Sequence, residues 1–562
     1  MYRQLAPEMW VLVVQHLPPP DQRSCLSVSS THHTIARRFV FSDVAITLGL
    51  WKEAHVEGET HPLSTAIQDE VSRRARSSLS LLKHASNVSD FADLVKKLTV
   101  RAQGLSDEIH VAFDIDILVR ALAKMRNLRA FTWYGTAPSP TGDVLQTLLE
   151  TSGRTLTHLS LPTALPKCFT LPPHTQLTSF ALLERHAFDS GASPPPVDAA
   201  QRILKANADT LQRLCISSSP ETVSVLYGSD PEAFTRLEEL SLIFPHTVDG
   251  LDAVFTHCAA LRALTFCVSS ENGVDEAVTE ALRTNPSAFP QLTSLKLLHR
   301  TGFPRGTAPA QDVADFVLAH PGLRRLDVAL GPSALAFYGG CPLMWALPKL
   351  PALAVLGFDF YPAYLVRGLV QFLDLNLPRA LRALHVYARV GQADMQTDDW
   401  TVFFGERPAL RFINIVCEKG ESVGLRDVLF RDPPRSLELL GFNFGMRAVS
   451  RDPATRDPTF AEPWSWPKTF HASLDRSGTG TGGGEDEDEE DWEWLLRHHG
   501  HNDRIDVAEW MVKASRGDDA DRQSNGVGGS DGPKRGSGGA KKNGRNGKQG
   551  SSRVEDSMEV GG

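Results

Sequence analysis

A short leucine pattern recurs along the chain and constrains its fold more than any other feature. The pattern is Leu-x-x-Leu-x-apolar, as in LEELSL, which begins at Leu237. Twelve copies begin at Leu128, Leu156, Leu177, Leu211, Leu237, Leu261, Leu292, Leu323, Leu353, Leu381, Leu410 and Leu437, and a weaker copy, VKKLTV, begins at Val95. The starts lie on average about 28 residues apart. Such regular spacing indicates a structure built from one repeated unit.

Each copy predicts one strand of a parallel sheet. Alternate side chains of a strand point to the same face, so the apolar positions of the pattern share a buried face. Helix-patterned stretches such as 252–261, 312–323 and 364–377 precede the strands. One strand and one helix cannot bury their apolar faces alone, so the units must stack. This period and signature are typical of leucine-rich repeats.

Several details predict an irregular, curved solenoid. The spacing of the copies varies from 21 to 34 residues. The Asn or Cys that usually follows each strand is replaced in most copies, as by Ser219, Pro245 and Arg300. The fold class expected is α/β: a short N-terminal three-helix segment, an irregular solenoid of parallel strands plus helices, and a disordered C-terminal tail.

Composition divides the chain into three zones. Residues 1–45 have a helical pattern, 46–450 contain the repeats, and 451–562 are expected to form a linker and a disordered tail rich in Gly, Ser and charged residues. The tail has an acidic run at 485–491, a possible short helix at 504–514 and a basic, Gly-rich end at 533–548. DWEWLL, at 491–496, is either part of a disordered tail or a motif that folds on a partner's groove.

The N-terminal zone opens with an unusually apolar helix. Pro7 and Glu8 suit a first helical turn, and Met9 to Val14 are all apolar. Pro18 to Pro20 end this helix, and Asp21 can cap the next one. A helix that is apolar on almost every side needs partners on more than one side, either in this chain or in another protein.

These residues resemble the F-box family. LAPEMWVLVVQHLPPPDQRSCLSVSSTHHTIA, at residues 5–36, is similar to its pattern of Leu-Pro-x-Glu, an apolar helix, His/Tyr-Leu-Pro, Asp and a Leu/Val stretch. The resemblance departs at Gln22, at His32 and at Ala6, which displaces the Leu-Pro pairing. It implies docking on the Skp-family linker subunit of an SCF-type, cullin-based ubiquitin ligase, while the solenoid presents a target protein. The linker-binding residues implied are Leu5, Pro7, Glu8, Leu12, Leu17, Pro18, Leu26, Val28 and Ile35.

The third, fifth and seventh residues of each copy are expected on the strand face opposite the core, where a target protein would bind. The candidates are Lys296, Arg325, Asp327, Asp359, His385, Tyr387, Phe412 and Asn414. They mix both charges with aromatic rings, as protein-binding faces do. The alternative is that they are ordinary solvated side chains.

Other classes of function are not expected. The GxGxxG match in 478–484 lacks a strand before it and a helix after it, and His498, His499 and His501 lack further ligands at a defined spacing. We therefore expect no catalytic residues, cofactor or metal, and the chain is not expected to be an enzyme. The net charge of −9 makes nucleic acid an unlikely partner. The sequence contains no stretch of about 20 apolar residues, so we expect no membrane span.

The seven cysteines form no CxxC pair, so we expect reduced thiols and a cytoplasmic or nuclear location. One further interpretation of the chain stays open: a scaffold without ligase function, whose N-terminal helices only cap the solenoid. A cap would bury Trp10 and Val13, whereas an adaptor would leave an apolar patch exposed.

Overall fold

The computed structural model describes most of the repeat region and both of its flanks. The described residues are 5–48, 53–56, 59–62, 65–102, 108–135, 138–162, 175–183, 197–217, 234–243, 245, 248–268, 274–299, 308–329, 342–365, 367–390, 397–418, 423–442, 445–462 and 491–497. They belong to one compact unit, Met1–Lys513; the second unit, Ala514–Gly562, lies outside them, as do the possible helix 504–514 and the basic end 533–548.

The strands form one long sheet and one small hairpin. The strands are β1 Asp43–Leu48, β2 Glu53–Val56, β3 Glu59–Pro62, β4 Lys97–Ala102, β5 Ala130–Tyr134, β6 His158–Pro162, β7 Ser179–Leu183, β8 Arg213–Ser217, β9 Glu239–Ile243, β10 Ala263–Val268, β11 Ser294–His299, β12 Arg325–Ala329, β13 Val355–Leu365, β14 Ala383–Val390, β15 Phe412–Glu418, β16 Leu439–Phe442, β17 Gly445–Arg451 and β18 Pro458–Phe460. The long sheet has 16 strands in the order β1, then β4 to β18. β1 and β4–β16 are parallel, and β17 and β18 add an antiparallel end.

From β4 onward, most consecutive strands have a helix between them. The helices are α1 Pro7–Gln15, α2 Pro19–Cys25, α3 Ser30–Val40, α4 Thr65–Asn87, α5 Ser89–Ala92, α6 Glu108–Leu122, α7 Gly142–Ser152, α8 Val197–Ala206, α9 Leu251–His257, α10 Val274–Thr284, α11 Ala308–Leu318, α12 Pro342–Ala346, α13 Arg367–Asn376, α14 Thr397–Gly405, α15 Val423–Arg431 and α16 Asp491–Leu496. The prediction of an α/β solenoid with parallel strands is confirmed. Each of the thirteen predicted copies supplies one parallel strand, which begins two residues after the start of the pattern.

The core lies between the sheet and helices α4–α15. One apolar ladder crosses every parallel strand in register, and all its members are buried. It consists of Val44, Leu98, Phe131, Leu159, Phe180, Leu214, Leu240, Leu264, Leu295, Leu326, Leu356, Leu384, Ile413 and Leu440. In the predicted copies, the ladder residues occupy the second Leu position of the sequence pattern. The repeated pattern therefore forms the core directly.

Hydroxyl groups replace part of the missing Asn ladder. In three copies the residue before the first Leu is Thr or Ser, and its hydroxyl donates to the carbonyl of the first Leu in the preceding copy. Thr155 Oγ1 donates to Leu128 O (2.7 Å) and Ser436 Oγ donates to Leu410 O (2.7 Å). These bonds satisfy loop carbonyls that would otherwise be buried without a partner.

Two elements lie outside the predicted pattern. β1 follows α3 directly, and Phe41, Val44 and Ile46 occupy the three apolar positions of a fourteenth copy. The expected disordered tail, 451–562, differs too: β17 ends at Arg451, β18 lies at 458–460, and α16 packs on the sheet. Trp494, Leu495 and Leu496 are buried there, which supplies the apolar contact that a polar tail lacks.

Helices α1–α3 form a separate, small cluster before the sheet. Val14, Ile35 and Ala36 are its buried centre, and Trp10 packs half-buried beside them. Pro19 and Pro20 stand in the first turn of α2, and the Ser29 hydroxyl caps α3 by accepting from His32 N (3.2 Å).

Candidate functional site

Helix α1 has a buried face and an exposed apolar face. Val14 is 1% exposed, whereas Met9, Leu12 and Val13 are 49%, 51% and 40% exposed. The exposed residues lie three and four positions apart, so they share one face of the helix. Leu5 (49%) and Val28 (63%) are also exposed. We call these five residues the N-terminal patch.

The predicted linker-binding residues divide between this patch and the cluster core. Leu5, Leu12 and Val28 are exposed with Pro7, Glu8 and Pro18, whereas Leu17 and Leu26 are half-buried and Ile35 is buried. The exposed residues are accessible to another protein, the half-buried ones are partly accessible, and Ile35 is not. Binding by all of them stays a prediction.

Two of the three residues that depart from the F-box pattern, Gln22 and His32, make contacts between the three helices. Gln22 Nε2 donates to Leu17 O (2.9 Å), which ties α2 to the end of α1. The His32 ring lies edge-on to Trp10, with centroids 4.7 Å apart, and its Nδ1 bonds the Ser29 hydroxyl (2.8 Å). Both side chains thus have a packing role within the cluster.

The second candidate site is the sheet face turned away from α4–α15. A row of residues crosses this face in register, and we call it the polar face. The row runs through Thr99, Thr132, Ser160, Ala181, Cys215, Ser241, Thr265, Lys296, Asp327, Gly357, His385, Asn414 and Gly441. Four of the predicted substrate-face residues, Lys296, Asp327, His385 and Asn414, therefore lie on one line.

These residues are buried rather than solvated. Lys296 and Asp327 are 1% and 0% exposed, and their side chains form an ion pair with Nζ to Oδ2 at 2.7 Å. His385 and Asn414 are buried beside them, and Asn414 Nδ2 lies 3.0 Å from His385 Nδ1.

Helix α16 covers this part of the polar face. Lys296 Nζ donates to the carbonyls of Trp494 (2.8 Å), Leu495 (3.1 Å) and Arg497 (2.7 Å), and lies 4.5 Å from the Trp494 ring centroid. The ammonium group thus binds the unpaired carbonyls at the end of the helix, where the dipole favours a cation. Burial lowers the pKa of Lys296, and Asp327 acts in the opposite direction.

The first turn of α16 binds two arginines. Asp491 Oδ1 accepts from Arg324 Nη2 (3.1 Å) and from Arg325 Nη2 (3.0 Å). Between the two ends, Trp494, Leu495 and Leu496 pack on the adjacent row Val355, Ala383, Phe412 and Leu439.

The remaining predicted substrate-face residues have different surroundings. Arg325 and Phe412 belong to the α16 contact, and Tyr387 is half-buried on β14. Asp359 is on β13, and its side chain lies outside the described residues. A role of any of them in binding a target stays a prediction.

Sequence reasoning missed that Asp491, Trp494, Leu495 and Leu496 lie on this chain's own sheet. The DWEWLL motif was recognised as a possible docking segment. Its contact with Lys296 could not be predicted, because Lys296 and Trp494 are 198 residues apart in the chain. The residues that the structure describes contain no group of three or more His, Cys, Asp or Glu able to hold a metal, and no helix among them is long and apolar enough to cross a membrane.

No family model matches the chain, and no curated protein matches it. One solved structure that it resembles is a Rad7 and Elc1 complex in yeast, with 12% identity, a TM-score of 0.29, and coverage of 62% of this chain and 96% of that chain. We draw no conclusion from a likeness at that score.

Proposed function

We propose that the chain is a substrate-recognition adaptor of an SCF-type ubiquitin ligase. Helices α1–α3 would bind a Skp-family linker subunit of the cullin-based ligase, and the solenoid would bind a target protein. Ubiquitin transfer would take place on partner subunits, so the chain itself would not be an enzyme. Such a role fits a cytoplasmic or nuclear protein with reduced thiols.

The N-terminal patch is the observation that carries the proposal. A helix that only capped the solenoid would bury its apolar residues against the first strands. Instead, Met9, Leu12 and Val13 are exposed, and α1 packs in a cluster separate from the main core. Trp10 is half-buried, but its neighbours are α1–α3 themselves. An exposed apolar surface on a short helical cluster is typical of a protein-binding site.

The solenoid supports the second half of the proposal. A long parallel sheet holds side chains from many repeats in one register, which provides an extended surface for a protein target. The predicted substrate-face residues Lys296, Asp327 and His385 lie in register across this sheet, and α16 covers Lys296. The sequence resemblance of residues 5–36 to the F-box supports a Skp-family subunit as the partner of α1–α3.

The test is co-expression of the full chain with a Skp-family linker subunit. Wild type should co-purify with it, and a Met9→Asp, Leu12→Asp double variant should not. Each substitution removes about 1 kcal/mol of apolar burial and places a carboxylate in the interface, so together they should weaken binding at least about 100-fold. Both residues are about half exposed, so the variant should fold.

Leu375→Asp is the matched control, because Leu375 is 81% exposed on α13 and the chemical change is the same. It should leave the complex intact. If wild type fails to co-purify with any linker subunit of its own organism, the adaptor proposal is wrong. The N-terminal helices would then serve another partner, and the scaffold interpretation would take its place.

A further inference from the structure

We infer that the polar face between β11 and β16 is a docking surface for a short helical segment of another protein. The partner segment has an acidic residue in its first turn, followed by Trp and two Leu residues. The chain's own residues 491–497 occupy this surface until the partner segment displaces them. The inference goes beyond the adaptor proposal and holds whether or not α1–α3 bind a linker subunit.

One end of the surface selects an acidic residue. Arg324 and Arg325 come from the start of β12 and converge on the Asp491 carboxylate. The Arg325 side chain is only 8% exposed, so its charge needs a carboxylate partner more than a solvated arginine would. A segment with a neutral residue at this position would leave two guanidinium groups without that partner.

The other end of the surface recognises main chain. Lys296 donates to three carbonyls of the segment, at Trp494, Leu495 and Arg497, while Asp327 holds the ammonium group in place. The last carbonyls of any helix lack a donor within the helix, so any helix that ends beside Lys296 offers it similar acceptors. A segment from another protein can therefore satisfy Lys296 as well as the chain's own segment does.

The middle of the surface is shaped for two leucines and a tryptophan. Gly357 stands in the row between Asp327 and His385. A Cβ at Gly357 would overlap the Asp327 carboxylate and lie 3.1 Å from Leu495 Cδ2. The glycine thus allows close approach of the segment to the strand. Phe412 and Leu439 complete the apolar contact.

Two observations indicate that the chain's own segment can be displaced. A helix of six residues is too short to be stable by itself, so it persists only while it is packed on the sheet. Beside its first turn lies a cleft of about 270 Å³, lined by Arg382, Ala383, Arg411, Phe412, Glu438, Leu439, Asp491 and Trp492. A partner segment that replaces Asp491 and Trp492 can also contact Arg382, Arg411 and Glu438, which line this cleft from the sheet.

The probe is a fluorescein-labelled peptide of residues 487–499, measured by fluorescence anisotropy against the full chain. Asp491→Lys in the chain opposes Arg324 and Arg325 and weakens the internal contact. This variant should bind the peptide at least 10-fold more tightly than wild type. Adding Lys296→Met should abolish the gain. Lys97→Met, the same change on β4, should preserve it, since Lys97 pairs with Asp43 away from the segment.

A second measurement uses unaltered protein. Hydrogen exchange of residues 491–497 in wild type should speed up as the peptide is added, while β11–β15 remain protected. Equal peptide affinity of wild type and Asp491→Lys would overturn the inference. So would protection of 491–497 that persists at saturating peptide, because the segment would then be a fixed part of the fold. If Asp491→Lys loses protection in β11–β15, the wild-type exchange measurement decides alone.

Discussion

Arg407 offers the sharpest test of how the repeats are held together. Its side chain is 0% exposed and joins α13 to α14. The guanidinium donates to Asp374 Oδ1 (2.7 Å) and to the carbonyls of Asp374 (2.9 Å), Leu377 (3.1 Å) and Phe403 (2.8 Å). These carbonyls lie at the ends of the two helices, where no intrahelical donor remains. One side chain therefore caps two helices at once.

Replacing Arg407 with Met keeps much of the packing on Phe403, whose ring centroid lies 4.1 Å from the guanidinium carbon, and removes every donor. Hydrogen bonds that involve a charged group contribute about 1.5–3 kcal/mol each. Breaking a buried ion pair by removing one partner costs about 3–5 kcal/mol. Because Asp374 is 30% exposed and can regain water, we expect a loss of about 3–4 kcal/mol in the free energy of unfolding.

The assay is urea unfolding of the full chain together with native hydrogen exchange by mass spectrometry. Exchange should accelerate in residues 367–377 and 397–410, and α10 and α11 should change little, because stability in stacked repeats is local. Arg407→Lys should lose about half as much, since an ammonium group cannot reach all four acceptors. Arg411→Met is the control: its ion pair with Glu438 is 60% and 59% exposed, so its loss should be within about 0.5 kcal/mol. A loss below 1 kcal/mol for Arg407→Met, without local exchange, would refute the capping role.

Two further predictions concern Cys258 and Gly135. Burial raises the pKa of the Cys258 thiol from 9.0 to about 12, so it should resist iodoacetamide at pH 8 in the native protein. As pH rises, the thiol ionises in the unfolded chain before it ionises in the folded protein. The free energy of unfolding should therefore be unaffected by Cys258 below pH 9 and should fall by about 4 kcal/mol between pH 9 and about 12. Cys258→Ala should reduce the fall of the urea midpoint over this pH range, and an unchanged fall would contradict the burial of the thiol. Gly135 has φ of +91°, and a Cβ there would overlap the Ala102 carbonyl, so Gly135→Ala should destabilise by about 2–3 kcal/mol and speed exchange in β4 and β5. Gly142→Ala, where no atom lies within 4 Å of the added Cβ, should be neutral, and equal effects of the two changes would contradict the steric reasoning.

The repeat strands could be predicted because their signal is local. Leu237, Leu240 and Leu242 lie within six residues and share one buried face, and this holds for each copy. The register of the strands also follows from the repeat, because residues at the same position of neighbouring copies pair across the sheet. Lys296 and Asp327 are one such pair. The copy that forms β1 was not predicted, because Phe41, Val44 and Ile46 fill its apolar positions without leucine.

The sequence by itself determined the α/β solenoid, the position of thirteen strands and the set of residues on the face opposite the core. It did so because the strand period and the repeat period act within one unit and its neighbours. Only the tertiary structure decided that Lys296, Asp327 and Arg325 are buried, and which residues cover them. Their cover, Asp491 to Arg497, is more than 160 residues away from them in the chain, and no local pattern carries such a contact. Its energy comes from apolar burial and from hydrogen bonds to carbonyl groups that converge on Lys296 only once α16 has folded against the sheet.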